Sequence, residues 1–217
     1  MILYGQYDSP FVRRAAVALH HYGFDFEREV LSVFQNFDIM LNVNPLGKVP
    51  ALQLDDGEMI YDSRAIIEYL DGIADPDRRL TPGVENDALR RAMFRIEAVG
   101  IGLAEKTYER GIEFSRRAPG KHDPEWIARL ERQILTALAW IEDYVRLEWM
   151  VGDRMTRADL AVVIATTYLS EKLPDLYDRH RFSKLEIYQE RCESLWPFCA
   201  AAYSAVEAQA TGWTAEL

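Results

Sequence analysis

The sequence predicts a small α/β unit followed by an all-helical one. Three observations carry this. Over roughly the first eighty residues, short apolar runs alternate with stretches of helical periodicity. Two turn signals, Asp75-Pro76-Asp77 and Thr81-Pro82-Gly83, then interrupt the pattern. Beyond them apolar residues keep helical spacing, and no convincing strand recurs. The expected division is residues 1–75 and 84–217, joined by a linker over 76–83.

Each element has a local reason. Ile2-Leu3-Tyr4 is a short strand. Ser9-Pro10 reads as a helix start, with serine as N-cap and proline at the first helical position. Val12, Ala16 and Leu19 repeat at helical spacing, and Gly23 closes the helix. Phe26 to Leu31 alternates like a strand, and a short irregular or helical segment covers Phe37 to Val43. Ala51–Leu54 and Met59–Tyr61 form a hairpin across Asp55-Asp56-Gly57. Ile66, Leu70 and Ile73 mark a helix starting at Asp62-Ser63.

The second half reads as helices. Leu89, Met93, Ile96, Gly100 and Leu103 share one face. Ile127, Leu130, Ile134, Leu138, Ile141 and Val145 share another. Leu160 to Leu169 is apolar nearly all round, which suits a helix at the centre of a bundle. Its start is explicit: Thr156 and Asp159 are spaced as a capping box, and Met155 and Leu160 as a hydrophobic staple. That motif is structural. Trp196 to Val206 supplies a last helix. Gly100, Gly102 and Gly111 suit close helix crossings.

Composition excludes some functions. The chain has 217 residues, about half of them apolar, so a sizeable core can form. A formal net charge of −10 argues against a general nucleic-acid binder. Cys192 and Cys199 are too few for a zinc site. No metal is expected, and the two cysteines read as small core residues in a reducing compartment. Met1 leads directly into ILYG, without a basic region and apolar run, so no secretory signal is expected. The most apolar stretch is too short to span a bilayer. A soluble cytoplasmic protein is the expectation.

Pro50 lies at the mouth of the predicted hairpin. Proline has no N–H for a strand ladder, and read from the residues alone it is an ordinary edge proline. Ser9 alone reads as a helix cap, and Asp62-Ser63 as another.

Four segments, YDSPFVRRAAVAL, NPLGKVPAL, YDSRAIIEYLDG and GDRMTRADL, occur here in order and across the domain break. Together they resemble the cytosolic glutathione transferases over nearly the whole chain. The Ser-Pro-Phe opening is most similar to the serine-type classes, those called tau and zeta. The resemblance implies a thioredoxin-like N-terminal domain, glutathione as co-substrate, an electrophilic small molecule as second substrate, and a cytoplasmic homodimer. Neither nucleic acid nor membrane is an expected partner. It also implies a cis bond before Pro50, which leaves the Val49 N–H and C=O to pair with the peptide-like ligand as an added strand would.

The same resemblance gives roles to the site residues. Ser9 donates to the glutathione sulfur at a helix N-terminus, which favours the thiolate. Tyr7 is the second choice, because other classes use a tyrosine near the first strand. Tyr4 should point into the sheet or its flank. Asp62 and Ser63 hold the γ-glutamyl end, although many relatives have glutamate where this chain has Asp62. Lys48 neutralises the glycyl carboxylate, and Arg14 steadies the first helix and the domain contact rather than touching substrate. Phe11, Tyr108 and Arg110 are candidates for the wall of the second-substrate site. The reaction the resemblance implies is attack of the thiolate on an electrophilic carbon, or a related glutathione-dependent isomerisation, dehalogenation or reduction; the alternative is a non-catalytic protein that keeps the fold to bind a partner.

Overall fold

Leu3 and Leu52 are register partners on neighbouring strands, and both are fully buried. They belong to β1 (Ile2–Tyr4) and β3 (Ala51–Gln53), which pair antiparallel. On one side β1 runs parallel to β2 (Glu27–Glu29). On the other, β3 pairs antiparallel with β4 (Met59–Tyr61). The sheet order is therefore β2-β1-β3-β4. This computed structural model describes residues 1–146, 148–177 and 182–210.

The helices of this sheet begin where their caps predict. α1 (Pro10–Tyr22) has Ser9 as N-cap and Pro10 at its start. It ends at Gly23, whose left-handed φ of 81° lets its N–H reach back to the Leu19 and His20 carbonyls. α2 covers Phe37–Val43 and α3 covers Ser63–Ile73. α1 packs on α3, burying Val12, Ala16 and Leu19 on one helix and Ile66 and Leu70 on the other.

The chain divides into two compact units, and the division departs from the expected one at two places. The first unit runs from Met1 to Leu80 and also takes the segment from Leu195; the second runs from Thr81 to Ser194. The expected linker 76–83 opens with a short 3-10 turn, Pro76–Arg78. Leu80 follows it, fully buried, and donates its N–H to Asp71 Oδ1 at 2.6 Å. The Tyr22 hydroxyl holds the same oxygen at 2.8 Å. Residues up to Leu80 are thus fastened to the first unit.

The second departure is the C-terminal segment, expected within the 84–217 domain. It returns to the first unit, and its single expected helix is two: α8 (Trp196–Ala200) and α9 (Ala205–Ala210). The Ala201 carbonyl, at the end of α8, accepts from buried Arg13 Nε of α1 at 2.8 Å. That bond takes an acceptor a continuing helix would have used. Ser204 Oγ then accepts the Glu207 N–H at 3.2 Å and starts α9.

In the second unit, every regular element among the described residues is helical: α4 (Asp87–Ser115), α5 (Pro124–Tyr144), α6 (Arg157–Lys172) and α7 (Ser183–Glu193). α7 was not foreseen, because its apolar residues are few and Ile187 faces solvent. The two cysteines differ in setting: Cys192 is buried on α7, whereas Cys199 lies on α8 and is exposed, contrary to the expectation of two core residues. α6 is buried along nearly its whole length, as its all-round apolarity predicts. Met155 and Leu160, the staple pair, are both buried. Among the described residues, no helix is long and apolar enough to cross a membrane.

The glycines of α4 differ in purpose. A Cβ on Gly100 would come within 2.9 Å of the Ala161 carbonyl carbon on α6, so this crossing needs glycine. A Cβ on Gly102 would meet nothing within 4 Å, so the expected packing role does not hold there. Gly100→Ala should cost about 1–3 kcal/mol through overpacking. Gly102→Ala should stabilise by up to about 1 kcal/mol through helix propensity. Thermal unfolding of the two variants should move the midpoint in opposite directions.

Candidate active site

The register of the sheet brings three loops to one end. Tyr4 pairs with Ala51, and Ala51 pairs with Tyr61. The residues just beyond these partners are Gly5, Pro50 and Asp62, so the β1–α1 turn, the segment before β3 and the start of α3 meet there. Gly5 confirms the proximity: a side chain on it would strike Val12 at 2.5 Å and Val49 at 3.1 Å.

The Val49–Pro50 bond is cis. Pro50 is buried, while Val49 is only partly so. Among the described residues, neither the N–H nor the carbonyl of Val49 is paired with another backbone group. The segment before it is tied by Asn44, a residue the sequence reading passed over. Asn44 is buried, donates from Nδ2 to the Lys48 carbonyl at 2.8 Å, and accepts the Leu46 N–H at 3.0 Å. Its place before Pro45 was the available signal, since asparagine caps turns through its own side chain. The Lys48 side chain is exposed.

Two helix N-termini contribute positive potential. Ser9 Oγ accepts the Val12 N–H at 3.4 Å, which leaves the hydroxyl hydrogen to donate elsewhere. The first turns of α1 and α3 carry no acidic residue, although the N-cap of α3 is itself a carboxylate that offsets part of that helix's dipole. At α3, Asp62 is the N-cap and accepts the Arg64 N–H at 2.7 Å. Its φ of 72° is the one positive value at a non-glycine among the described residues, a strain of about 1–3 kcal/mol. Ser63 is buried and accepts from Arg14 Nη1 of α1 at 2.9 Å. That bond leaves the Ser63 hydroxyl hydrogen free to donate and joins Arg14 to the start of α3, a contact not foreseen from the sequence.

The Tyr4 hydroxyl is engaged, whereas the contacts of Tyr7 are made by its ring and its backbone N–H. Tyr4 donates its hydroxyl to Gln53 Oε1 at 2.9 Å on the neighbouring strand. The Tyr7 ring lies 3.8 Å from the Arg28 guanidinium, and its N–H donates to Glu207 Oε2 at 2.6 Å. Burial raises the pKa of the Tyr7 hydroxyl above the ordinary tyrosine value, Arg28 pulls it back and Glu207 adds to the rise. Neither Arg28 nor Glu207 carried a pattern in the sequence.

The three residues named for the second substrate lie in different units. Phe11 is on α1 of the first, half-buried. Tyr108 and Arg110 are on α4 of the second. Tyr108 is about one-third exposed, and the partial burial of its hydroxyl raises its pKa above the usual value, with Arg116 pulling it back. Arg110 Nε pairs with Glu131 at 2.8 Å, and its guanidinium lies 3.9 Å from the Phe114 ring, so it has a packing role inside its own unit.

Comparison with known proteins matches this geometry. Residues 3–78 fit the family model for the glutathione S-transferase N-terminal domain. A maleylacetoacetate isomerase from Pseudomonas aeruginosa is 31% identical over 193 residues, covering 84% of this chain and 82% of its own length. A glutathione S-transferase from Methylobacterium radiotolerans, solved with glutathione sulfonate, has a TM-score of 0.87 at 30% identity, over 94% of this chain and 95% of that one. Another, from Methylobacillus flagellatus with glutathione bound, has a TM-score of 0.84 at 26% identity, over 94% and 99%. With this fold, these motifs and these likenesses, the chain belongs to the cytosolic glutathione transferase family.

Proposed function

We propose that this protein binds glutathione in its first unit and activates the thiol for attack on an electrophilic small molecule. The observation that carries the reading is the Val49 backbone, without a backbone partner among the described residues, at the sheet end shared with Ser9 and Ser63. An extended peptide ligand pairs with such a segment as an added strand does. The γ-glutamyl carboxylate then goes to the N-terminus of α3 and the Ser63 hydroxyl, with Asp62 beside the amino group. Lys48 neutralises the glycyl carboxylate. These placements put the thiol toward Ser9, whose hydroxyl and helix favour the thiolate.

The chemistry then needs no nucleophile from the protein. The thiolate forms a C–S bond to the electrophile, and the displaced group leaves with the electron pair of its bond. Isomerisation through a reversible thiol adduct is the second reading, favoured by the likeness to maleylacetoacetate isomerase. Turnover of an aryl halide against a cis-configured unsaturated diacid separates the two. The proposal extends to the family's usual setting, a cytoplasmic homodimer.

Calorimetric titration with glutathione tests the binding. Wild type should release heat and saturate, and Asp62→Asn should bind about 1.4- to 5-fold more weakly, because an exposed ion pair is worth about 0.2–1 kcal/mol. Its unfolding midpoint should stay close to wild type, since asparagine keeps the cap and tolerates positive φ. A flat wild-type titration would favour the non-catalytic alternative.

A further inference from the structure

Glu207 follows Tyr7 by 200 residues, yet it is bonded to the turn that carries Ser9. That turn is Gln6 to Ser9, closed by the Ser9 N–H donating to the Gln6 carbonyl at 3.1 Å. Glu207 holds it at two points. Its Oε2 accepts the Tyr7 N–H at 2.6 Å, and its backbone carbonyl accepts Gln6 Nε2 at 3.2 Å. Arg28, on β2, grips the carboxylate with both terminal nitrogens, at 3.0 and 2.8 Å. The same guanidinium covers the Tyr7 ring. Side-chain exposure is only 24% for Arg28 and 16% for Glu207, so solvent screens the pair less than it would a surface bridge.

A plain tether would need only the ion pair. Arg28 and Glu207 alone would dock α9 against the sheet. The second lone pair on Oε2 is used for something else: it fixes the peptide unit at the second residue of a four-residue turn whose last residue is Ser9. A charge-assisted bond of this kind sets direction as well as distance. The Ser9 hydroxyl has little tolerance, because a misplacement of about 1 Å at a reacting centre can cost about 100-fold in rate.

We propose that Glu207, oriented by Arg28, is a positioning residue that holds the Gln6–Ser9 turn so that the Ser9 hydroxyl meets the thiol of bound glutathione. The inference rests on the reading of Ser9 given under the proposed function. It makes the C-terminal segment a working part of the first unit. Arg13 fixes that segment at Ala201, between α8 and α9, and Glu207 joins α9 to the active-site turn.

The test uses the whole chain with glutathione, reading kcat, glutathione affinity and the pKa of the bound thiol from its ultraviolet thiolate absorbance. Glu207→Ala should raise that pKa by about one, a loss of about three- to tenfold in thiolate and in kcat at neutral pH. Affinity should stay within about twofold, since the peptide contacts at Val49 and Ser63 are untouched. Glu207→Gln keeps an oxygen for the Tyr7 N–H and should recover most of the loss. The exchange Arg28→Glu with Glu207→Arg restores an ion pair but offers that N–H no acceptor, and should not recover it. If Glu207→Ala does not fold, Glu207→Asp replaces it, because the shorter arm keeps the charge but withdraws the oxygen.

Ser9→Ala is measured alongside. A shift in Ser9→Ala without one in the Glu207 variants overturns the positioning role alone. Full recovery by the charge exchange also overturns it, leaving Glu207 a tether. No shift in any variant, Ser9→Ala included, removes the Ser9 reading and the inference with it.

Discussion

Replacing Ser9 by alanine is expected to lower turnover at neutral pH by roughly 10- to 150-fold, the equivalent of about 1.5–3 kcal/mol for one charge-assisted hydrogen bond. The structure gives Ser9 two capacities. It accepts a long bond from the Val12 N–H, and its own hydrogen stays available to a thiolate. Alanine removes both. The helix loses a cap worth about 1 kcal/mol, but α1 is held by buried packing and should persist. The rate effect should shrink as pH rises, because hydroxide then ionises the thiol without help. Glutathione affinity should change little. The pH–rate profiles of wild type and variant on one acceptor check this. Coincident profiles would make Ser9 only a cap and move attention to Tyr7. A loss confined to binding would make its role positioning.

Asp159→Ala should be strongly destabilising, at about 3–5 kcal/mol, because it strands several buried donors at once. The Asp159 carboxylate is fully buried. It accepts the Thr156 N–H at 2.6 Å, the Thr156 hydroxyl at 2.8 Å, the Met150 N–H at 2.9 Å and the Tyr188 hydroxyl. The box read from the sequence is therefore closed, and it also ties α6 to α7 and to the loop before it. In a chain of this length, such a loss lowers the unfolding midpoint by roughly 6–20 °C.

The pH dependence has a definite sign. Burial holds the Asp159 carboxyl above the ordinary aspartate range, although four donors pull it down. The folded state binds that proton more tightly than the unfolded chain does. The linked stability is complete below the unfolded value and is lost as pH rises through the folded one. The gap between wild type and Asp159→Ala should therefore be widest in acid and narrow toward neutrality. Burial likewise raises the Tyr188 hydroxyl and pushes the Cys192 thiol up to about 11, so both stay protonated and Tyr188 remains a donor to Asp159.

The sequence made local features legible and left distant ones hidden. Ser9, Pro10 and Gly23 mark the ends of α1 because caps depend on neighbours within a few residues. The Thr156 box and the all-round apolarity of α6 are local for the same reason. The cis bond before Pro50 was reached only through the family likeness, since nothing in an isolated Val-Pro pair distinguishes it. Arg28 and Glu207 lie outside any motif, and their meeting depends on the return of a segment from Leu195. That return was missed because Arg13 looks like any helical arginine until its Nε is seen capturing the Ala201 carbonyl. The buried charges on α1 and the two-part C-terminal helix share this cause. Asn44 was visible beside Pro45, but its grip on the Lys48 carbonyl depends on the fold of the loop.

The central claim is that the first unit binds glutathione and favours its thiolate. Titrating the ultraviolet absorbance of glutathione bound to the wild-type protein across pH measures this directly. A bound thiol that ionises at least about one pH unit below the ~8.5 of a free thiol is the predicted result. A bound thiol that titrates with the free one would contradict it.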